Sequence, residues 1–410
     1  MDRIFPLINR VKHYAWGSPE WIPALLGRPN PSGEPWAELW MGAHPGGPST
    51  LKFQGGEISL GDLIQRDPAR WLGGEAGRAF GTLPFLFKVL AAEKPLSIQA
   101  HPNLEQARQG WERENREGVA LDDPRRNYKD ANHKPEILCA LSPFTAMCGF
   151  REPETILRFL ETFWGEAGTF LREACVPLGN ALAPGGGPAR TALRDFFSAL
   201  FGLSPEARKA LTDHALEAGP RLKRQVPQYA AEWELAARFA EYYPEDPGII
   251  APFYLNLLAL EPGEAIYLPA GALHAYVRGL GVELMANSDN VLRGGLTPKH
   301  IDTTELTRIL RFVPFRPEIL KPGGDCFTYP GECREFALSA IRGRGGEVPF
   351  PVPGPAIAVV SSGRAVFKKD GEELVLNRGA SAFIPAGAGP SIGGSYTLYA
   401  AGLPTGRRPG

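Results

Sequence analysis

EPGEAIYLPAGALHAYVRGLGVELMANSDNVLRGGLTPK (261–299) holds the pattern that decides the fold. Gly263 is followed after five residues by Pro269-Ala270-Gly271, and after two more by His274. This spacing predicts a hairpin of two antiparallel strands closed by a Pro-x-Gly turn. Because alternate residues share a face, the imidazole lands on the inner side of the second strand. Glu283, Asp289, Asn290, Arg293 and Lys299 follow. So much charge beside one histidine, in a Gly-rich stretch, marks a site and not a core.

G-x5-P-x-G-x2-H resembles the second metal motif of the cupin superfamily of small β-barrels. The same spacing returns as Gly379, Pro385-Ala386-Gly387 and Pro390, with PAGA at both 269–272 and 385–388. Pro390 stands at the metal position and cannot ligate. The fold class expected is therefore mainly β, with two cupin (jelly-roll) β-barrels, one catalytic and one metal-free at the C-terminal end. Within the catalytic part the pattern turns helical. Ile156, Leu160, Phe163 and Trp164 fall at helical spacing, as do Leu193, Phe196, Phe197, Leu200 and Phe201. Ser204-Pro205-Glu206 is a helix start, and the stripe Trp233, Ala236, Phe239, Tyr243 stops at Pro244. The division expected is 1–151 (first part of the catalytic barrel), 152–245 (helical insertion), 246–311 (second part of that barrel) and 312–410 (C-terminal barrel). A short helix is expected in 103–130 and a closing helix over 297–310.

The chain has 410 residues, long for one core, and 22% charged against 43% apolar residues make it globular. Its net charge of −1 provides no bulk field for nucleic acid or an anionic membrane, so neither is an expected partner. MDRIFPLINR carries no signal-peptide pattern, and no apolar stretch could span a bilayer. The five cysteines are widely spaced and read as reduced thiols of a cytoplasmic protein.

His274 gains meaning only with partners. Ser97-Ile98-Gln99-Ala100-His101 places Ser97, Gln99 and His101 on one strand face and the two apolar residues on the other. In Asn132-His133-Lys134-Pro135-Glu136, Pro135 forces Lys134 into an extended conformation, so Lys134 and Glu136 share a face and His133 opposes them. One carboxylate, two imidazoles and an amide oxygen suit Zn²⁺. Glutamine is a poor ligand, and spacing alone leaves the four-residue set open.

YKDANHKPE (128–136) and HAYVRGLGVELMANSDNVLRGGLTPK (274–299) resemble the two signature motifs of the type I mannose-6-phosphate isomerases. HYAWG, AELWMGAHP, FLFKVL and SIQAHP fit the same family in the same order, from about residue 5 to 310. Gly294 departs from the pattern, where alanine is expected. The resemblance implies one zinc per chain, held by Gln99, His101, Glu136 and His274. It also implies interconversion of mannose 6-phosphate and fructose 6-phosphate through a cis-enediol, and hence a role in mannose metabolism.

That chemistry needs a base near the sugar carbons, stabilisation of the enediolate oxygens and an anchor for phosphate. Arg293 cannot be the base, since guanidinium does not deprotonate in proteins. It stabilises the enediolate or grips phosphate, and the resemblance marks it as the active-site arginine. Glu283 and Lys134 both remain open as the base. Asp289 is a candidate for ring opening, or it simply pairs with Arg293. Ser97, Lys88 and Lys299 are phosphate candidates, while Trp16, Glu38 and Tyr276 lie in motifs that line the family's pocket. Two other readings compete: a non-catalytic sugar-phosphate-binding cupin and a metal-dependent cupin oxygenase. The partner expected is a small sugar phosphate, and the expected state is a monomer.

Overall fold

The strand His274–Ala286 is the hub of a ten-stranded sheet. The computed structural model describes residues 3–165, 167–185 and 187–404, so the last six residues expected in the C-terminal unit lie outside the described residues. The sheet runs in the order Leu255–Leu260, Phe144–Phe150, His274–Ala286, Phe85–Ala92, Glu38–Gly42, Arg10–Lys12. Gln99–Ala100, Glu136–Ala140, Ala265–Leu268 and Leu292–Arg293 attach to it off that path. The hub strand changes neighbours along its length. Its start pairs with Phe144–Phe150 and Gln99, and its end with Phe85–Ala92 and Glu136–Ala140. The change falls near Gly279, whose φ is 142° and where a Cβ would lie 2.4 Å from the Phe144 ring. Only glycine lets the strand bend there.

The hairpin expected at 265–286 is not one. Ala265–Leu268 and His274–Ala286 both pair with Glu136–Ala140 and not with each other. The turn itself forms, with Ala272 N–H donating to Pro269 O at 3.2 Å and Gly271 at φ 75°. A strand from 130 residues upstream separates its two arms. That partner could not be read from local spacing.

A seven-stranded sheet follows, in the order Phe5–Pro6, Ser381–Ile384, Ala356–Lys369, Ser391–Gly402, Ala337–Pro349, Cys326–Thr328, with Glu372–Asn377 on Ala356–Lys369. It repeats the earlier turn. Ala388 N–H donates to Pro385 O at 3.2 Å, Gly387 has φ 74°, and the strands on either side both pair with Ala356–Lys369. Phe5–Pro6 belongs to this second sheet although the first segment was expected to lie wholly in the other unit. One face of the second sheet buries Ala358, Val360, Phe367, Leu398 and Ala400. Its other face sets Ile357, Val359, Tyr399 and Ala401 against Phe87, Val89, Val282 and Leu284 of the first sheet, giving the two sheets a common core. The remaining strands, Thr50–Phe53 and Gly56–Ser59, form a small ribbon.

Helices occupy the middle of the chain: Pro153–Trp164, Thr169–Leu182, Ala189–Phe201, Pro205–Gln225 and Ala230–Tyr242. Ser204 caps the fourth by accepting the Ala207 N–H at 3.2 Å. The aromatic stripes converge. Phe159, Phe163, Phe196, Phe197, Trp233 and Phe239 are all buried in one cluster, which reaches Ile98, Ala100 and Met147 on the back of the ten-stranded sheet. Each such ring contributes roughly 1.5–3 kcal/mol of burial free energy. Leu104–Arg116 is the short helix expected in 103–130, opened by an Asn103–Gln106 capping box. The closing helix is shorter than expected, at Thr303–Ile309. No helix among the described residues is long and apolar enough to cross a membrane. All five cysteines are free.

Candidate metal centre and active site

Three strands bring three donors to one point on the inner face of the ten-stranded sheet. Glu136 opens the strand Glu136–Ala140, His274 opens the hub strand, and His101 follows Gln99–Ala100. Glu136 Oε2 lies 3.4 Å from His101 Nε2 and 3.4 Å from His274 Nε2. All three side chains are buried, and none of these three atoms has a hydrogen-bond partner. Three orphaned donors facing one another in a closed interior would be costly without a cation. Their separation matches the edge of a tetrahedron with bonds of about 2.0–2.1 Å, the range for zinc with nitrogen and oxygen ligands. Among the described residues this is the one such cluster of His, Cys, Asp and Glu.

The ring orientations are fixed from behind. His101 Nδ1–H donates to Asn290 O at 2.8 Å, and His274 Nδ1–H to Ala272 O at 3.0 Å. Each bond leaves the Nε2 lone pair free for the shared point. Gln99 is the direct cross-strand partner of both His274 and Arg293, so the three residues share a face.

Lys134 Nζ sits 2.8 Å from Glu136 Oε1, and His133 turns away to Glu335 at 3.1 Å. Burial alone would raise Glu136, but Lys134 and then the imidazoles outweigh it and hold the carboxyl well below its usual range. Burial, followed by the Lys134 charge, pushes the His101 imidazole down to about 4.

A second constellation lies further along the hub strand. Glu283 is the Cα partner of Lys88, and Lys88 is the partner of Trp40. Lys88 Nζ is 3.0 Å from Glu283 Oε2 and 3.5 Å from Glu38 Oε1. Glu38 Oε2 also accepts Trp40 Nε1–H at 2.7 Å. Burial opposes the charge on Lys88, yet Glu283 and then Glu38 overcome it and hold the ammonium protonated. Burial raises Glu283 above the ordinary glutamate value even against Lys88. With two carboxylates on its ammonium, Lys88 has no net charge to spare for a phosphate in this arrangement.

Arg293, half-buried, makes no hydrogen bond or ion pair with the described residues, although burial lowers its pKa somewhat. Lys299 is largely exposed, and its pKa is lowered by partial burial and then by the charge of Arg293. Asp289 does not pair with Arg293. Its carboxylate faces the buried His44, with Oδ2 3.5 Å from Nε2, and its N–H donates to Asp130. Tyr276 is buried beside His274, with ring centroids 6.1 Å apart, and Trp16 packs half-buried on the same inner apolar wall. Ser97 is half-buried, two residues before Gln99.

The sequence reading gave no role to Trp40, Asp130 or Asn290. Asn290 Nδ2 donates to the carbonyls of Asp130 and Asn132 at 2.9 Å each, and its Oδ1 accepts Lys129 N–H at 2.7 Å. It thereby ties 129–132 to the loop whose carbonyl orients His101. All three lie inside the quoted motifs, but nothing local reveals what they touch.

Residues 4–153 match the family model described as phosphomannose isomerase type I, catalytic domain. The chain is 39% identical to the mannose-6-phosphate isomerases of Salmonella typhimurium and Escherichia coli, covering 94% of this chain and 95% of each relative. It is 35% identical to that of Rattus norvegicus, covering 94% of both. A crystal structure of mannose 6-phosphate isomerase with zinc bound superposes with a TM-score of 0.88 at 37% identity, over 98% of this chain and 99% of the other.

Proposed function

The chain belongs to the type I phosphomannose isomerases, and on that premise we infer how its own residues carry out the reaction. It is a zinc-dependent aldose–ketose isomerase that interconverts mannose 6-phosphate and fructose 6-phosphate. The observation that carries this reading is the trio of orphaned ligand atoms on His101, Glu136 and His274, with Glu283 and Arg293 in the same sheet. We assign Gln99 as a fourth ligand because it shares a face with His274. When bound, zinc supplies Lewis-acid polarisation of the sugar oxygens.

Glu283 is assigned as the base that moves the proton between C2 and C1. Its carboxylate is buried, and burial raises its basicity toward the range a general base needs. Lys134, tied to Glu136, manages the oxygens. As the C2 proton leaves, its ammonium protonates O1 and gives the cis-enediol. The resulting amine then takes the O2 proton as Glu283 returns its proton to C1. With Lys299, Arg293 is assigned to the phosphate, because neither cation is spent on a carboxylate among the described residues. Lys88 instead holds Glu283 and Glu38 in place. Ser97 adds a phosphate donor, Asp289 with His44 serves ring opening at the rim, and Trp16 and Tyr276 wall the sugar.

The repeated turn, with both of its arms paired antiparallel to one intervening strand in each sheet, supports reading each large sheet as a cupin-type barrel, the second filled with apolar side chains and metal-free. The division into 1–151 with 246–311, 152–245 and 312–410 goes with it, except that Phe5–Pro6 completes the second sheet. We read the protein as a monomer acting in the cytoplasm, where its five free cysteines stay reduced. The test of the activity is fructose 6-phosphate formation from mannose 6-phosphate, with and without a chelator. No turnover by zinc-replete protein would sink it.

A further inference from the structure

Where the helical block ends, it grips the two segments that carry Gln99 and Arg293. Tyr243 Oη–H donates to Pro95 O at 3.0 Å. Three residues later, Asp246 accepts Gly248 N–H on Oδ1 at 2.7 Å and Thr297 N–H on Oδ2 at 3.1 Å. The packing here tolerates no side chain. A Cβ on Gly295 (φ 126°) would lie 3.0 Å from Asp246 Oδ1 and from Gly248 Cα, and one on Gly248 would lie 2.8 Å from Asp246 Oδ1 and 3.0 Å from Leu296 N. Leu296 itself is held at φ 52°, a conformation that leucine adopts only when its surroundings impose it. The third strand of the knot is Ile98, whose N–H donates to Gly295 O at 2.9 Å and whose carbonyl accepts Gly294 N–H at 2.7 Å.

We propose that Asp246 is a positioning residue through which the helical block sets the anion-binding geometry of Arg293 and Lys299. The proposal rests on the reading of those two cations as the phosphate anchor. Arg293 lies three residues before the strained Leu296, and Lys299 three after it, so this left-handed turn lies on the backbone path between the two cations. A carboxylate is suited to the task because both oxygens accept, which lets one side chain bind two backbone N–H groups from separate segments. The His101 and His274 rings are oriented by the carbonyls of Asn290 and Ala272 instead, so these two ligands do not depend on Asp246.

The test uses zinc-loaded full-length protein. Asp246→Asn replaces one acceptor with an NH₂ facing a backbone N–H, and Gly248→Ala pushes the same contact apart while keeping the carboxylate. Both variants are expected to raise KM for mannose 6-phosphate and the inhibition constant of inorganic phosphate together, about tenfold, the loss of one charge-assisted hydrogen bond. In both, kcat is expected within twofold of the parent and the zinc content unchanged. Unchanged KM and phosphate inhibition in either variant overturn the proposal. So does a joint fall in kcat, zinc content and melting temperature without a selective change in those two constants, which a merely structural role would give. Arg293→Ala separates the two levels. If it leaves phosphate inhibition untouched, the anchor reading fails and takes the proposal with it; if it weakens phosphate while Asp246→Asn does not, only the proposal fails.

Discussion

Lys88 and Glu283 face each other as Cα partners on neighbouring strands, with Nζ 3.0 Å from Oε2 in a buried setting. A carboxylate so placed keeps its negative charge beside an ammonium, while burial raises its pKa. Glu283→Gln keeps the shape and removes the basic oxygen. Turnover is expected to fall by a factor of about 10²–10⁴, the usual share of a general base. Zinc content should stay at the parent level, because Glu283 touches none of the three orphaned atoms. Full kcat in this variant would remove Glu283 from the proton transfer.

The same carboxyl sets a pH dependence. Because burial favours its protonated form, the fraction of competent base rises with pH through a value above the ordinary roughly 4.3 of glutamate. The acidic limb of kcat/KM should therefore lie above that value and move in Lys88→Met, which removes the main influence lowering Glu283, toward still higher pH. An acidic limb that stays in place when Lys88 is replaced would assign the limb to another group.

Lys134 offers a separate discrimination. Its ammonium lies against Glu136 Oε1, so it repels a cation at the ligand point as much as it steadies the ligand. Lys134→Gln should bind zinc at least as tightly as the parent in a competition titration, yet lose turnover by roughly 10²-fold or more. Weakened zinc binding with normal turnover at saturating zinc would make the lysine a metal-site brace only.

For Arg293 the relevant property is the planar fork. Arg293→Lys preserves charge and loses the paired N–H donors, so kcat/KM should drop about 10–100-fold, the scale of one or two charge-assisted hydrogen bonds. Near-normal steady-state kinetics would take the arginine out of the mechanism.

These residues differ in how far the sequence alone reveals them. His274 announced itself through glycine and proline, because a turn needs particular φ values that few residues supply. The strand expected over 97–101 forms only at Gln99–Ala100, yet alternation still assigns Gln99 its face without knowledge of the partner. The helical stripes at 156–164 and 193–201 likewise follow from a local period. What stayed hidden depends on register between distant segments. The two carboxylates on the Lys88 ammonium, Glu38 and Glu283, come from 50 and 195 residues away. The pairing of Asp289 with His44 and the insertion of Glu136–Ala140 between the arms of the expected hairpin are of the same kind.

The repeated turn provides its own control on how His274 is held. Gly271 and Gly387 share a φ near 75°, so alanine at either site carries the same left-handed penalty, about 1–2 kcal/mol. Their surroundings differ. At Gly387 a Cβ meets nothing within 4 Å, whereas at Gly271 it would lie 2.7 Å from Ile309 O and from Arg311 Cγ. Gly271 also donates its N–H to His101 O at 2.8 Å, so a displaced turn moves two metal ligands at once. Gly387→Ala should therefore show a modest fall in the urea midpoint and unaltered zinc affinity. Gly271→Ala should be destabilised further and bind zinc at least tenfold more weakly, a shift of about 1.4 kcal/mol. Equal midpoints with equal zinc affinity in the two variants would show that the turn does not position the imidazole.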